Sequence, residues 1–189
     1  MRFYIRFILL AIISLWATIA FALAPAWQIV PRDSAVTFTA TQNNAPVTGK
    51  FTTISGDINF DPDQLDTSHV KIIVSISSVT TSYKDIENTL KSSDWLDDKH
   101  YPQAIFESNH FIKTGDKQYQ SMGILTIRNQ KIPVTLNFKF LDYSPTKARV
   151  QGTATLKRSQ FNVGSGEWKS TDVVKDEVMV QFTLAAVKK

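Results

Sequence analysis

The 189-residue chain carries 21 Lys and Arg against 17 Asp and Glu, a formal net charge of +4, with 43% apolar residues and no cysteine. Without cysteine there is neither a disulfide framework nor a lipid-modified N-terminal Cys, so stability must come from a packed interior. The basic surplus gives no reason to invoke nucleic acid: Arg2 and Arg6 supply two of the 21 basic residues, leaving 19 interspersed with 17 acidic ones.

The first element is a leader. Arg2 and Arg6 precede an apolar run from Phe7 to Ala20, followed by small-x-small triplets at Ala20, Ala22, Ala24 and Ala26, the layout of a secretory signal peptide. The run is shorter than the ~20 apolar residues that a spanning helix needs. Cutting after Ala24 would leave Pro25 at the first position, which peptidases dislike, so the cut is expected after Ala22 or Ala26. Residues 1–26 are thus expected to be the signal peptide of a periplasmic product, and residues 27–189 suffice for one domain and no more.

The remaining chain reads as short alternating segments. Eight strands are predicted, at 35–41, 46–60, 70–78, 103–113, 118–128, 131–142, 147–157 and 176–187. In the second, Val47, Gly49 and Phe51 share one parity while Ile54, Gly56, Ile58 and Phe60 share the other, so a bulge near Thr52 and Thr53 is expected to restore a single inward face. Between the third and fourth, Ser82 is placed to cap a short helix with Asp85 three residues on. Tyr83, Ile86 and Leu90 would form its apolar stripe, and Glu87 and Lys91 would pair at i, i+4. This helix is expected to plug one end of the fold rather than move as a lid. Asn129 and Gln130 predict a tight antiparallel hairpin. The sixth strand alternates strictly: Ile132, Val134, Leu136, Phe138 and Phe140 lie on one face. The neighbouring strands carry small residues on the matching face, Ser121 and Gly123 before it, Gly152 and Ala154 after it. These either leave a hollow interior or mark close packing and barrel corners. So many strands with so little helix exclude a doubly wound fold and leave a sandwich or an up-and-down barrel.

The search for catalytic chemistry finds none. His69, His100 and His110 form no metal-ligating pair, although His110 shares parity with Phe106 and Ser108 and so would face inward. Gly164-Ser165-Gly166 lacks the spacing of a nucleophile elbow. The carboxylate pairs Asp97/Asp98 and Asp61/Asp63 sit in turn contexts. No catalytic residue, metal site or enzymatic cofactor is expected.

Several stretches together resemble the YceI-like family: Trp27 to Ser34 with Val36 and Phe38, Gly49-Lys50-Phe51, Gly56-Asp57-Ile58-Asn59-Phe60-Asp61-Pro62, Leu90-Lys91-Ser92-Ser93-Asp94-Trp95-Leu96-Asp97, Tyr101-Pro102-Gln103-Ala104-Ile105-Phe106-Glu107-Ser108, Gly123-Ile124-Leu125-Thr126-Ile127-Arg128, and the run from Arg158 to Trp168. They follow in order over essentially the whole chain after the leader. The resemblance departs at Asp33 and Gln42, where many relatives have His, and at Asn129, where glycine is common.

The resemblance implies an all-β fold, an eight-stranded antiparallel, lipocalin-like extended β-barrel with a short helical insertion. It also implies a non-enzymatic carrier or scavenger whose apolar cavity holds a polyisoprenoid or other long-chain amphiphile. On that reading Phe38, Phe51, Phe106, Leu125, Leu136, Phe138, Gly152, Ala154 and Phe182 would line the cavity, with an isoprenoid lipid or a quinone as the bound molecule. Two alternatives stay open: a stress-response or interaction module with a filled barrel, and a quinone-binding partner of a membrane redox system, since relatives occur fused to b-type cytochrome domains. A transient membrane contact and a homodimer also stay open.

Overall fold

The computed structural model describes residues 23–189, so the expected leader lies outside the described residues as far as position 22. From Ala24 onward the chain is built into the fold. Ala24 is buried, the Pro25 carbonyl accepts the Phe60 N–H at 3.1 Å, and Ala26 begins the first strand.

Eleven strand segments make one antiparallel sheet: β1 (Ala26–Ile29), β2 (Ala35–Gln42), β3 (Ala45–Phe51), β4 (Ile54–Asn59), β5 (His69–Ser75), β6 (Val79–Thr81), β7 (Gln103–Gly115), β8 (Gln118–Ile127), β9 (Gln130–Tyr143), β10 (Lys147–Lys157) and β11 (Glu177–Lys188). Eight expected strands become eleven segments because three staves of the barrel are broken. A 3-10 turn at Pro31–Asp33 divides β1 from β2, yet both pair with β11, through Trp27↔Lys188 and Val36↔Phe182 among others. The ladder likewise breaks between β3 and β4, which pair with β2 and β1, and between β5 and β6, which pair with β4 and β3. Counting each broken pair as one stave, eight staves run round the sheet and β1 and β2 close it on β11, giving the eight-stranded antiparallel barrel. Closure removes the exposed edges that an open sheet presents.

Two of the breaks have a local cause. At Thr52 and Thr53 both amide protons turn to the Ser78 hydroxyl, 3.2 Å from each, so the chain shifts parity there and Phe51 and Ile58 both reach the interior, as the alternation requires. Pro31 cannot donate a ladder bond, and the 3-10 turn begins at it. β1, only four residues long ahead of that proline, has no alternation long enough to predict it.

Three local expectations are corrected. A β-bulge after Glu107 reverses the parity of β7: Ser108 Oγ donates to the Met122 carbonyl at 2.8 Å and accepts the His110 N–H at 3.2 Å, which turns His110 outward and Phe111 inward. The β8–β9 turn consists of Arg128 and Asn129, both left-handed at φ 49° and 58°, because the ladder continues to Ile127↔Gln130. The helix α1 (Lys84–Lys91) has no Ser82 cap. Its start is organised by Glu87, whose carboxylate accepts the Thr81 N–H at 3.1 Å and the Lys84 ammonium at 2.7 Å. Those two bonds, the Lys84 one first, hold the Glu87 carboxyl below its ordinary range, and Glu87 pairs with Lys84 rather than Lys91. Tyr83 is 69% exposed, so the packed stripe is Ile86 and Leu90.

Buried apolar side chains form two separate clusters. Trp27, Phe60, Phe111, Tyr119, Phe140 and Ala186 close one end of the barrel. Trp95, Phe161, Val163 and Val174, with Leu90 and Trp168 against them, close the other.

Candidate functional site

Between the two plugs the inward residues do not fill the barrel. Leu136 and Phe138 of β9, Leu125 of β8 and Phe182 of β11 point inward at mid-strand and yet remain only partly buried, and each borders an internal void. Three adjoining voids of ≈ 100, ≈ 110 and ≈ 180 Å³ follow one another along the axis. The first two share Ile72, Phe106, Leu136, Phe182 and Leu184, and the last two share Val36, Val74, Ala104, Leu125, Leu156 and Val180, so the three lie end to end in one apolar interior, the tunnel. Its walls are aliphatic and aromatic, interrupted by Ser121 and, at one end, Arg158. Along β11 it extends from Val178 to Ala186, about 26 Å at the usual rise of a strand. An apolar void of this size excludes water and accepts apolar guests.

Eight of the nine residues named from sequence border the tunnel: Phe106, Leu136, Phe138 and Phe182 in its first part, Leu125 and Ala154 in the middle, Phe38 and Phe51 near the helix. Gly152 does not. It is buried, but a Cβ added there would lie 2.2 Å from Phe182 Cζ and 2.5 Å from the Asn137 carbonyl oxygen. Gly49 and Gly123 are covered in the same way, by the rings of Phe38 and Phe106. These glycines therefore create no empty space; each lets a phenyl ring from the adjacent strand lie flat against the sheet. The tunnel owes its width to Ala104, Ala154 and the spacing of the barrel.

The far end is an aromatic plug. Phe60 packs edge-on against Phe111 at 5.2 Å and Tyr119 at 5.8 Å, and Trp27 Nε1 donates to the Phe60 carbonyl at 2.9 Å. Burial, reinforced by Asp63 and Asp116, raises the Tyr119 hydroxyl above its ordinary range, so it stays neutral here.

The other end is a built cap, and sequence reasoning missed its parts. Arg158 is 4% exposed, and its guanidinium donates to the carbonyls of Lys175, Val163, Gly164, Ser170 and Val174 at 2.8 to 3.3 Å, folding the loop after β10 round one side chain. Burial pulls its pKa down, but a guanidinium remains charged. Arg158 also lies 5.7 Å over the Trp95 ring. Asp94 holds the same loop from the opposite side, its carbonyl accepting the Gly164 and Ser165 N–H groups at 2.8 and 2.7 Å. Arg128 donates to the carbonyls of Trp95 and Asn162 from its hairpin turn. The sequence signals for this cap were the runs Leu90 to Asp97, Gly123 to Arg128 and Arg158 to Trp168, whose joint chemistry does not show until the loops close on one another.

Beside the cap a further void of ≈ 110 Å³ lies between α1, the β2–β3 hairpin and Trp168. Gln42 and Thr89 give it polar edges, and it shares Phe38, Ala40, Leu90, Trp95 and Val174 with the tunnel.

The YceI-like domain family matches residues 27–186. A UPF0312 protein of Vibrio parahaemolyticus is 25% identical over 122 residues, 62% of this chain and 65% of that protein, so the match spans just under two thirds of the relative's length. A UPF0312 protein of Pseudomonas paraeruginosa is 30% identical over 120 residues, 61% of this chain and 62% of its own. Among solved structures, BcnA of Burkholderia cenocepacia superposes with a TM-score of 0.79 at 32% identity, over 83% of this chain and 98% of that one. A polyisoprenoid binding domain from Saccharophagus degradans, implicated in plant cell wall breakdown, gives 0.72 at 14% identity over 87% and 99%, which is likeness of fold alone.

Proposed function

The chain belongs to the YceI-like domain family, and from that premise we propose that it is a binding protein for a polyisoprenoid or similar long-chain lipid, a carrier or scavenger rather than an enzyme. The observation that carries this reading is the divided core: two packed plugs with an apolar tunnel between them. The inward Leu125, Leu136 and Phe182 are only partly buried and border the voids, surface that a lipid chain would cover. That one protein of the same fold is described as binding polyisoprenoids supports the choice of ligand class. Affinity would come from burial of the chain, about 0.8 kcal/mol per methylene before the cost of ordering it.

In this reading the protein is exported to the periplasm and cut after Ala22. Cutting after Ala26 would remove the Pro25 carbonyl that binds Phe60 N–H and the Ala26 carbonyl that binds Lys189 N–H at 2.9 Å, both part of the plug's rim. Organic extraction and mass spectrometry of protein purified from the periplasmic fraction test both points. A long-chain lipid near one equivalent and an intact mass beginning at Leu23 are expected. Protein that is lipid-free, or that retains Met1 in the membrane fraction, would contradict the soluble lipid carrier.

A further inference from the structure

The aromatic-plug end carries its charges unevenly. Lys139, Lys147, Arg149, Lys188 and Lys189 stand exposed on one corner, built from the ends of β9, β10 and β11, where Lys147 pairs with Val187 and the Lys188 N–H donates to the Thr146 carbonyl at 3.0 Å. Asp142 faces Arg149 across the ladder, and Lys189 reaches Asp57 at 3.8 Å. Among the described residues the other four cations form no salt bridge. The further carboxylates of this end, Asp61, Asp63, Asp66 and Asp116, stand on the opposite arc of the barrel, in the turns that follow β4 and β7. The same corner shows apolar surface. A bulge in the β9–β10 ladder leaves Leu141 without a partner and 47% exposed. Two residues on, the Tyr143 ring packs on Phe140 at 4.9 Å and Trp27 at 5.8 Å. Of all the residues bordering the three tunnel voids, Tyr143 alone is exposed, at 40%.

We propose that this corner is a docking surface for a membrane that bears anionic lipid headgroups. Unpaired cations around an aliphatic and an amphipathic aromatic side chain match the layers of such a surface. The lysines and Arg149 lie among the headgroup anions, Leu141 enters the acyl boundary, and Tyr143 keeps its hydroxyl at headgroup level. A folded protein partner fits this corner less well. Lysines are depleted from protein interfaces, where fixing them costs rotamer freedom that a fluid bilayer lets them keep. The closed barrel also leaves no free strand edge for a partner to extend. Docking sets this end of the barrel against the bilayer, with the arc of carboxylates tilted away, and does not depend on what the tunnel holds.

The test is flotation of the purified protein with vesicles of phosphatidylcholine alone and of phosphatidylcholine mixed with phosphatidylglycerol. The wild type is expected to prefer the anionic vesicles by about tenfold or more, and to lose that preference as salt is raised. The triple change Lys147→Gln, Lys188→Gln, Lys189→Gln should lower anionic binding about tenfold or more, since one cation near such a surface is worth about fivefold. Removing the same charge at the cap end, by Lys99→Gln, Lys169→Gln and Lys175→Gln, should change little. All six lysines are exposed, so both triple variants should melt like the wild type. The chain has no cysteine, so Leu141→Cys accepts a single environment-sensitive dye, whose emission should shift to the blue on anionic vesicles. The same dye at Tyr83→Cys, at the cap end, should not shift. Equal binding to both vesicles, an equal loss in the two triple variants, or a blue shift at Tyr83→Cys without one at Leu141→Cys would each overturn the proposal. Protein that co-purifies with a lipid yet ignores anionic vesicles would refute the docking surface and leave the lipid-carrier reading standing.

Discussion

Replacing Arg158 with methionine is expected to lower the Tm by roughly 6 to 12 °C. Methionine keeps most of the apolar stem, so the change isolates the guanidinium. Its removal leaves the carbonyls of Val163, Gly164, Ser170, Val174 and Lys175 without their donor, and hydrogen bonds from a charged group are worth about 1.5–3 kcal/mol each. The loop can swing partly into water and recover some of that, which leaves a net loss of about 3 kcal/mol or more. For a domain of this size each kcal/mol moves Tm by about 2–4 °C. Lysine is a poor substitute because a compact ammonium has three donors and cannot span carbonyls arranged round a planar fork. Near-ultraviolet circular dichroism during the melt should show the Trp95 and Trp168 signal lost first. A Tm within about 2 °C of wild type would mean that the loop does not depend on this side chain.

The second large effect contrasts two positions two residues apart on β10. Ala154→Phe is expected to cut long-chain lipid affinity at least tenfold while Tm holds or rises, because the added ring enters the middle void of ≈ 110 Å³ that Ala154 borders. Gly152→Leu should do the opposite to stability. Its Cβ meets both the Phe182 ring and the Asn137 backbone, so overpacking costs about 1–3 kcal/mol even though glycine is the smaller residue. Paired melts and titrations separate the two. Equal destabilisation by both changes would indicate a packed interior at Ala154 as well, and no tunnel there.

That contrast also marks what the sequence could and could not reveal. Strand alternation is a local property, so Ile132 to Phe140 announced an inward face and the eight staves could be traced from it. The parity shift at Thr52 and Thr53 was equally visible, since apolar residues change register across it. The bulge at Ser108 was not: it depends on a hydroxyl reaching the Met122 carbonyl fourteen residues away, and His110 was therefore placed on the wrong face. Small inward residues were legible as such, but whether a glycine faces empty space or a phenyl ring depends on the neighbouring strand, and the ladder pairs Gly152 with Phe182 and Gly49 with Phe38. The cap was the least accessible part. Arg158 works through backbone carbonyls, which every residue has, so no spacing of side chains signals it.

The central claim is that the tunnel between the plugs holds a lipid chain, and a chain-length titration addresses it most directly. Delipidated protein would be titrated with neutral linear alcohols of eight to twenty carbons below their aggregation limits. Burial along the tunnel predicts single-site binding whose affinity rises steeply with length, by up to roughly fourfold per methylene, and levels off once the chain reaches the aromatic plug at Phe60. Affinity independent of chain length, or rising without limit and without a one-to-one stoichiometry, would place the chain on the surface and contradict the account.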